Sequence, residues 1–503
     1  MGARKLAAPS TTWLDRAFLR WAPAAGYRRL RARAAAATIE LSLRKYEGAA
    51  VGRRTQGWRT SSSSANAEIG PSLIKLRDRC RALVRDNPWA KKAVRHIASQ
   101  TVGTGIVPRA RGRDVEESDR AQELWARWGE TTQVDPEGRC DFYGIQALCA
   151  RAVAESGEVL VRRRRRRASD GLAVPLQLQV LESDHLDHAR NEMRPNGNRV
   201  VQGVEFDRLG RRVAYWLFPD HPGDSWPLRA SNASQRVPAR DVLHVFLPER
   251  AGQVRGVPWG AACVLRLRDL DEYEDAQLMR QKIASCFAAF VHDLDGGMSE
   301  GLGEPGKTEV QIDQLEPGTI EYLPPGKGIE FARPPAVEGY EDFSRVTLRS
   351  VAAAFGVSYE SLTGDLTRVN FSSGRMGWLT EQRDLGSWRK LYFVPSLCQG
   401  VWRWFGEAGM LAGELDRGLG ATWTPPRREM IQPGAEVRAM REQVEAGLLS
   451  VSEAIRQLGY DPRRLLGELA EDLVLMSELG LRLPLGLDGG NSRRGPSVKQ
   501  PES

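Results

Sequence analysis

The hydrophobic period of the chain changes twice along its 503 residues, and this restricts the fold more than any other feature. Apolar residues recur at helical spacing from Ile69 to Val84, with Asn66 as a candidate N-cap. Three more helices are predicted over 89–101, 116–130 and 141–156. Between Gly157 and Phe246 the period falls to two, which predicts strands at Glu158–Arg163, Leu176–Leu181, Val200–Phe206 and Arg212–Phe218. The pattern therefore predicts an α+β fold that is mainly helical.

The chain becomes helical again after Pro258. The predicted helices run to about Ala288, over 338–355 and 372–393, and from about Pro433 to Leu479. Residues 292–306 are a Gly-rich loop, and two short strands are predicted at Gly318–Leu323 and Gly328–Ala332. Pro395 is expected to interrupt the helical run, which places Trp402 and Trp404 in a turn. Residues 484–503 are expected to be a disordered tail.

Positive charge is concentrated at the start of the chain. Residues 1–60 hold 13 Lys and Arg against 3 Asp and Glu, which leaves 59 of the 72 basic and 61 of the 64 acidic residues for the rest. The arm thus carries +10 and the remainder −2, with Ser61–Ser64 as a hinge. Such an arm binds nucleic acid or an acidic partner, or it is a solvated tail, and both interpretations stay open. The near-neutral remainder argues against a protein that grips DNA over its whole surface.

Membrane, secreted and zinc proteins are not favoured. No stretch approaches the roughly 18 apolar residues that span a bilayer. The segment Trp13–Trp21 is broken by charged residues, so no signal peptide is expected. The six cysteines form no CxxC pair, which indicates free thiols in a reducing cytoplasm.

Residues Gly301–Thr308 match the phosphate-binding pattern G-x4-G-K-[ST]. That chemistry needs a strand before the loop and a helix after it, because the helix N-terminus holds the phosphates. Here the following residues alternate like a strand until Glu316-Pro317-Gly318 ends them, so a nucleotide site is not expected.

Two further clusters are interpreted as structural or solvated. Asp184, His185, Asp187 and His188 match no standard zinc spacing, and a turn whose polar groups are satisfied is favoured. The six arginines of 162–167 stand at a strand end before a turn, where phosphate contact and a solvated hairpin tip are equally supported. No catalytic residue, metal or cofactor is predicted.

Several stretches, in order and spacing over about residues 45–465, resemble the lambda-type family of phage portal proteins. They include Val102–Ile106 (VGTGI), Tyr359–Asp365 (YESLTGD), Asn370–Arg375 (NFSSGR), Trp423–Pro426 (WTPP) and Gly459–Pro462 (GYDP). The second and third of these are the most specific.

The resemblance implies a closed ring, usually of twelve subunits, at one vertex of the capsid. A terminase motor pumps double-stranded DNA through such a ring, and the tail attaches to it later. The expected partners are further copies of the chain, the large terminase subunit, the major capsid or scaffold protein, a head–tail joining protein and DNA, without a membrane. The implied location is the virion, and the host cytoplasm during assembly.

By analogy with the family, the chain divides into the named parts of a portal fold. These are a basic arm (1–65), an α/β wing (66–260), a first stem helix (261–290), a small β-containing clip (291–337), a second stem helix (338–355), a tunnel loop (356–371), a long wing helix with those that follow it (372–427), a helical crown (428–483) and a tail (484–503).

The resemblance also suggests which residues face the channel. In the tunnel loop these are Thr363, Asp365, Thr367, Arg368 and Asn370, and the alternative is a plain helix–loop–helix joint. In the first stem helix, Asp271, Glu272 and Asp275 are candidates for an acidic lumen, with Arg280 and Lys282 as a basic ring that centres DNA. A repulsive wall lets the polyanion slide, whereas a solvated helix face is the alternative.

Two other functions compete with the portal interpretation. One is a P-loop ATPase of DNA packaging that uses Lys307 and Thr308. The other is a structural protein that binds DNA or a membrane through residues 1–60 and forms no ring. Loss of ATP hydrolysis in Lys307→Ala distinguishes the first, and assembly without the arm distinguishes the second.

Overall fold

The structure is a computed structural model that describes residues 12–32, 53–58, 60–224, 233–285, 289–293, 327–331, 339–427 and 429–481. The chain divides into two units, Met1–Ser63 and Ser64–Ser503. The first contains helices α1 (Trp13–Trp21) and α2 (23–32). Gly26 of α2 lies so close to the backbone of Leu19 that a Cβ there would be 2.9 Å from its nitrogen.

The second unit begins with helices and continues into sheets. Its first elements are α3 (Ala65–Ile69), α4 (Leu73–Asp86), α5 (Pro88–Val102), β1 (Val107–Arg111), α6 (Val115–Trp128) and α7 (Phe142–Ser156). The strands that follow are β2 (Glu158–Arg165), β3 (Leu176–Glu182), β4 (Glu192–Met193), β5 (Arg199–Val201), β6 (Val204–Phe206), β7 (Arg212–Leu217), β8 (Gln235–Pro238) and β9 (Val242–Phe246). The predicted change from helices to strands near Gly157 is thus confirmed.

Helices dominate the rest of the unit. The elements are α8 (Val264–Ser285), β10 (Ala289–Asp293), β11 (Lys327–Phe331), α9 (Tyr340–Phe355), α10 (Tyr359–Thr363), α11 (Phe371–Trp388), a π-helix (Arg389–Cys398), α12 (Gln399–Leu411), β12 (Gly420–Thr424), α13 (Pro433–Glu445), α14 (Val451–Gln457) and α15 (Pro462–Glu478). The predicted strand at Gly318–Leu323, the phosphate-binding pattern at Gly301–Thr308 and the tail at 484–503 lie outside the described residues.

All the strand pairs of the described sheets are antiparallel. The sheets have the orders β3-β2-β9, β4-β5-β6-β7-β8, β1-β12 and β10-β11. The strand predicted at Val200–Phe206 is in fact two strands, β5 and β6. Gln202 and Gly203 both have positive φ (49° and 83°), as the tight turns of two-residue hairpins require.

Three local expectations need correction. The N-cap at this point of the chain is Ser64, which precedes α3 and whose Oγ accepts from Ala67 N, while Asn66 binds the backbone at Gly252 and Val254. Pro395 does not interrupt the chain's helical course, since it lies inside the π-helix, whose wider turn accommodates a residue without an N–H. Trp402 and Trp404 therefore lie in helix α12, not in a turn.

The first stem helix is also shorter than the predicted range 261–290. A short 3-10 helix, Trp259–Cys263, precedes α8, which is described up to Ser285, and residues 289 and 290 already belong to β10. Strand β11 pairs with β10, so the predicted strand at Gly328–Ala332 is confirmed with slightly earlier bounds.

An aromatic cluster forms the largest core. Trp125 is fully buried, and its ring centroid lies between 5.1 and 5.5 Å from those of Trp128, Phe142, Trp402 and Phe405. These rings bring α6, α7 and α12 together, and offset or edge-on ring pairs add to the free energy gained from burial. Residues far apart in sequence are thus held in one body.

A buried ion pair joins the start of β2 to the segment that leads into α8. The carboxylate of Glu158 accepts from Arg255 Nε at 2.8 Å, from Gly256 N at 2.8 Å and from His244 Nε2 at 2.8 Å. Arg212 Nη1 donates to His244 Nδ1 at 3.0 Å, so the imidazole is neutral with its proton on Nε2. The buried charges of Glu158 and Arg255 are thereby paired with each other.

We expect Arg255→Leu to lower the free energy of unfolding by about 3–5 kcal/mol, because it leaves the Glu158 carboxylate buried without its cation. Urea denaturation followed by circular dichroism measures the change. Arg85→Leu is the control, since the Arg85–Asp86 pair is exposed to solvent and should contribute little to stability. Equal losses for the two variants would contradict this assignment.

The same network makes the fold sensitive to acid. Burial lowers the pKa of His244 to about 4, below the 6.5 of a free imidazole. Burial alone would raise the pKa of Glu158, but the charge of Arg255 and the hydrogen bond from His244 hold it well below its ordinary value. Both groups therefore stabilise the fold at neutral pH, and this stabilisation is lost as the pH falls.

Because the unfolded chain takes up a proton on His244 near pH 6.5 and the folded chain only near pH 4, stability should decrease over this window by roughly 1–3 kcal/mol. Unfolding midpoints measured in urea from pH 7 to pH 4 test this. His244→Gln should flatten the profile, and an unchanged slope in that variant would assign the effect to other groups.

Candidate functional site

The two predicted stem helices, α8 and α9, pack against each other. Leu267 and Leu270 of α8 share a buried cluster with Leu348 and Val351 of α9. Farther along, the ring of Tyr273 stacks on Tyr340 with centroids 6.0 Å apart, and it lies 4.4 Å from the ring of Phe343. The two helices are therefore in contact where α8 begins and α9 ends, and again farther along both helices.

The predicted lumen acids differ in their surroundings. Asp271 is half-buried, and its Oδ1 accepts from Asn87 Nδ2 at 2.7 Å, while Asn87 Oδ1 caps the N-terminus of α5. Burial and the nearby charge of Asp275 raise the pKa of Asp271. Glu272 is exposed and accepts from Arg268 Nε at 2.8 Å, and Asp275 is exposed. Asp271 thus connects the stem to α5, whereas Glu272 and Asp275 face outward.

The two predicted basic residues lie near the end of α8. Arg280 is half-buried and Lys282 is exposed. Their neighbours Leu278 and Met279 are half or more exposed, although both are apolar. The end of α8 therefore carries charged and apolar groups side by side.

Exposed apolar residues are a feature of both stem helices. Leu265 and Met279 of α8 are 66% and 58% exposed and stand fourteen residues apart, close to one line along the helix. Phe343 and Val346 of α9 are also exposed, at 46% and 64%. These four side chains have little cover within a single chain.

Most of the predicted tunnel-loop residues hold the loop's own shape. Thr363 Oγ1 donates to the Tyr359 carbonyl at 2.8 Å. Asp365 Oδ1 accepts from Thr367 N at 3.0 Å and from Thr367 Oγ1 at 2.6 Å, and these bonds lower the pKa of Asp365. The predicted loop also contains the short helix α10.

Asn370 is the N-cap of α11, where its Oδ1 accepts from Ser373 N at 2.8 Å and Ser373 Oγ accepts from Asn370 N at 3.2 Å. Asn370 and Ser373 therefore form a reciprocal cap at the start of α11. Arg368 is exposed, and its Nη2 lies 3.9 Å from Glu341 Oε1. Arg368 therefore presents its charge at the surface of the loop.

Glu381 was not predicted. It lies in the middle of α11 and is 4% exposed, and its carboxylate accepts from Ser358 N at 2.9 Å, from Ser361 Oγ at 2.8 Å and from His96. Burial opposes the charged form, but these hydrogen bonds lower the pKa of Glu381. The residue anchors the loop's base to α11 and α5. No sequence signal distinguishes it from Asp384, the exposed acid of the same helix.

The Asp184–His188 cluster is structural, as predicted. His185 and His188 bind the carbonyl oxygens of Phe218 and Gly70. Asp187 accepts from Ser234, and Asp184 pairs with Arg77 at 3.1 Å. In the described chain, Glu182, Asp184 and His221 could hold a metal ion together, but Arg81 Nη2 lies 2.9 Å from Glu182 and 2.7 Å from Asp184. The guanidinium already occupies the cation's place.

None of the helices that the structure describes has the length and apolar character needed to cross a membrane.

The family model and the curated relatives that this chain resembles are all phage portal proteins. The model of the family "Phage portal protein, lambda family" matches residues 51–389. The "Probable portal protein" of Halomonas phage phiHAP-1 is 29% identical over 467 residues, covering 88% of this chain and 89% of that protein. "Portal protein B" of Escherichia phage lambda is 23% identical over 510 residues, covering 88% and 92%.

Among solved structures, a chain from the neck of an empty GTA particle aligns with a TM-score of 0.46 and 17% identity, covering 81% of this chain and 97% of that one. The family match extends over two thirds of the chain and does not favour a packaging ATPase. The chain is a member of the lambda family of phage portal proteins.

Proposed function

We propose that copies of this portal protein close into a ring of twelve subunits at one vertex of the capsid, and that double-stranded DNA passes through the ring during packaging and ejection. The large terminase subunit, the major capsid or scaffold protein and a head–tail joining protein dock on it. The ring is a component of the virion and assembles in the host cytoplasm, and its role is that of a conduit without enzymatic activity.

The uncovered apolar residues of the stem carry this proposal. Leu265, Met279, Phe343 and Val346 lie on two helices that already pack against each other, yet their side chains remain exposed. A neighbouring copy related by rotation would cover them, and a heterologous contact repeated by rotation closes into a ring. Burial of such side chains is worth about 25 cal/mol per Å² of apolar surface.

The charges of the stem support the channel. Glu272 and Asp275 point outward from α8, and a wall of this sign repels the phosphates of a duplex, which then slides without sticking. Arg280 and Lys282 would add a local basic ring. Glu272 and Asp275 are the residues we assign to the lumen, whereas Asp271 orients α8 through Asn87.

The tunnel loop is the second element assigned to the channel. Its backbone is shaped by Thr363, Asp365 and Thr367, and its base is anchored by Glu381. Arg368 is exposed at its outer side and can meet a passing phosphate briefly. By the same family analogy, 66–260 and 372–427 form the wing, 291–337 the clip and 428–483 the crown.

We expect the double variant Leu265→Asp and Met279→Asp to abolish rings, because it places charge in the proposed subunit contact. Negative-stain electron microscopy and native mass measurement of the purified chain detect the loss. The control is Leu209→Asp with Leu411→Asp, two leucines that are 76% and 81% exposed outside the stem. Rings that persist in the stem variant, or a wild-type chain that stays a single particle, would overturn the proposal.

We expect Glu272→Lys with Asp275→Lys to make the purified ring bind a 30-base-pair duplex at least tenfold more tightly in 50 mM salt, and the gain should disappear as salt is raised. Fluorescence anisotropy measures the affinity. The control is Glu116→Lys with Glu123→Lys on α6, which changes the charge equally. If the control variant gained affinity for the duplex to the same extent, the assignment of Glu272 and Asp275 to the channel would be contradicted.

A further inference from the structure

The three-stranded sheet carries arginines on both faces, and the two faces differ in how these charges are compensated. Side chains of β2 alternate between the faces. On one face Arg163 Nη1 donates to Glu407 Oε2 at 2.5 Å, and Arg165 Nη2 donates to Asp241 Oδ1 at 3.2 Å. Both arginines that β2 places on this face, Arg163 and Arg165, therefore have a carboxylate partner.

The opposite face holds Arg162 and Arg164, and Arg166 follows at the next alternate position. The N–H of Arg166 donates to the Pro175 carbonyl at 2.9 Å, so the pairing of the β2–β3 hairpin continues to this residue. We call these three residues the arginine row. Within the described part of the chain, no carboxylate lies at ion-pair distance from any of them.

The surroundings of the arginine row are polar but not acidic. Arg162 pairs across the ladder with Gln179, and Arg164 pairs with Gln177, whose Oε1 accepts from Arg166 Nε at 2.7 Å. Burial and the charges of Arg162 and Arg166 lower the pKa of Arg164. Three like charges thus stand side by side without an internal counterion, although such neighbours destabilise a sheet.

The spacing of the arginine row matches an extended peptide. Alternate residues of a strand are about 6.6–6.8 Å apart, so carboxylates on every second residue of an extended segment meet successive guanidinium groups. Each guanidinium presents a planar fork that binds a carboxylate through two hydrogen bonds. The half-buried positions of Arg162 and Arg164 reduce screening by solvent.

A DNA duplex fits this surface less well. Residues 61–503 carry a net charge of −2, whereas nonspecific binding of a duplex needs a broad basic face. The arginine row is a single line of three guanidinium groups and is narrower than such a face.

We propose that the arginine row formed by Arg162, Arg164 and Arg166 is a docking surface for an extended acidic segment of a partner protein, with carboxylates on alternate residues. The segment lies across the open face of the hairpin and not along a free sheet edge, because β2 is the central strand of its sheet. This surface is distinct from the stem and the tunnel loop, and its assignment does not rest on ring formation.

The test uses the purified full chain and two fluorescent octapeptides of equal charge, one alternating Glu and Thr and one with four Glu followed by four Thr. We expect the alternating peptide to bind at least fivefold more tightly in anisotropy titrations at low ionic strength. Arg162→Gln with Arg164→Gln should weaken its binding at least tenfold.

The matched control is Arg208→Gln with Arg211→Gln, which removes the same charge from exposed positions on the β6–β7 turn and should leave the affinity unchanged. Circular dichroism and negative-stain images establish that the variants retain their fold and assembly. Equal binding of the two peptides, wild-type affinity in the Arg162/Arg164 variant, or a duplex that binds at the row more tightly than the alternating peptide would each overturn the proposal.

Discussion

The buried pair of Glu158 and Arg255 is the interaction on which the rest of the structure depends. Arg255 also donates to the carbonyl oxygens of Gln202 and Ser183, so one guanidinium joins β2, the end of β3 and the β5–β6 turn. Two fully desolvated charges are tolerated only when each is paired and hydrogen-bonded, as here. The strands are thereby held to the segment from which the chain enters α8.

Two glycines make this junction possible. A Cβ at Gly157 would lie 2.4 Å from the carbonyl carbon of Val257, and one at Gly256 would lie 2.1 Å from the Gly157 oxygen. The two backbones pass each other in contact, and Gly157 also has a positive φ of 90°. The segment that leads from β9 to α8 is thus fixed next to the start of β2.

The polar residues of α8, of α11 and of the loop between α9 and α11 fall into two groups, those that hold elements in position and those that expose their charges. Asp271, Glu381 and Asn370 direct their polar atoms at backbone or side-chain partners and hold elements in position. Glu272, Asp275 and Arg368 instead expose their charges. In the proposed channel this separation would be useful, because the groups that set its shape would be shielded from the DNA, while the exposed groups would act on it only through weak, screened contacts.

The differences from the sequence-based expectations have local physical causes. A proline ends most α-helices. Around Pro395, however, the tightly packed aromatic residues on either side, Phe393 and Trp402 among them, keep the segment helical through a π-turn. The turn at Gln202-Gly203 lacks the Asn-Gly signature of such hairpins, so the strand pattern appears continuous across it. Asn66 has the side chain of an N-cap, yet the backbone of Gly252 and Val254 claims it.

The sequence by itself determined the helix–sheet–helix order, most element bounds and, through the ordered motifs, the family, because periodicity and turn chemistry are local properties. It also indicated the loop and stem segments, but not which of their residues face outward. Only the tertiary structure decided that Asp271 is engaged by Asn87, that Glu381 anchors the loop, and that Arg163 and Arg165 have carboxylate partners while Arg162 and Arg164 do not. These outcomes depend on contacts between residues up to about three hundred positions apart, and local patterns carry no information about such contacts.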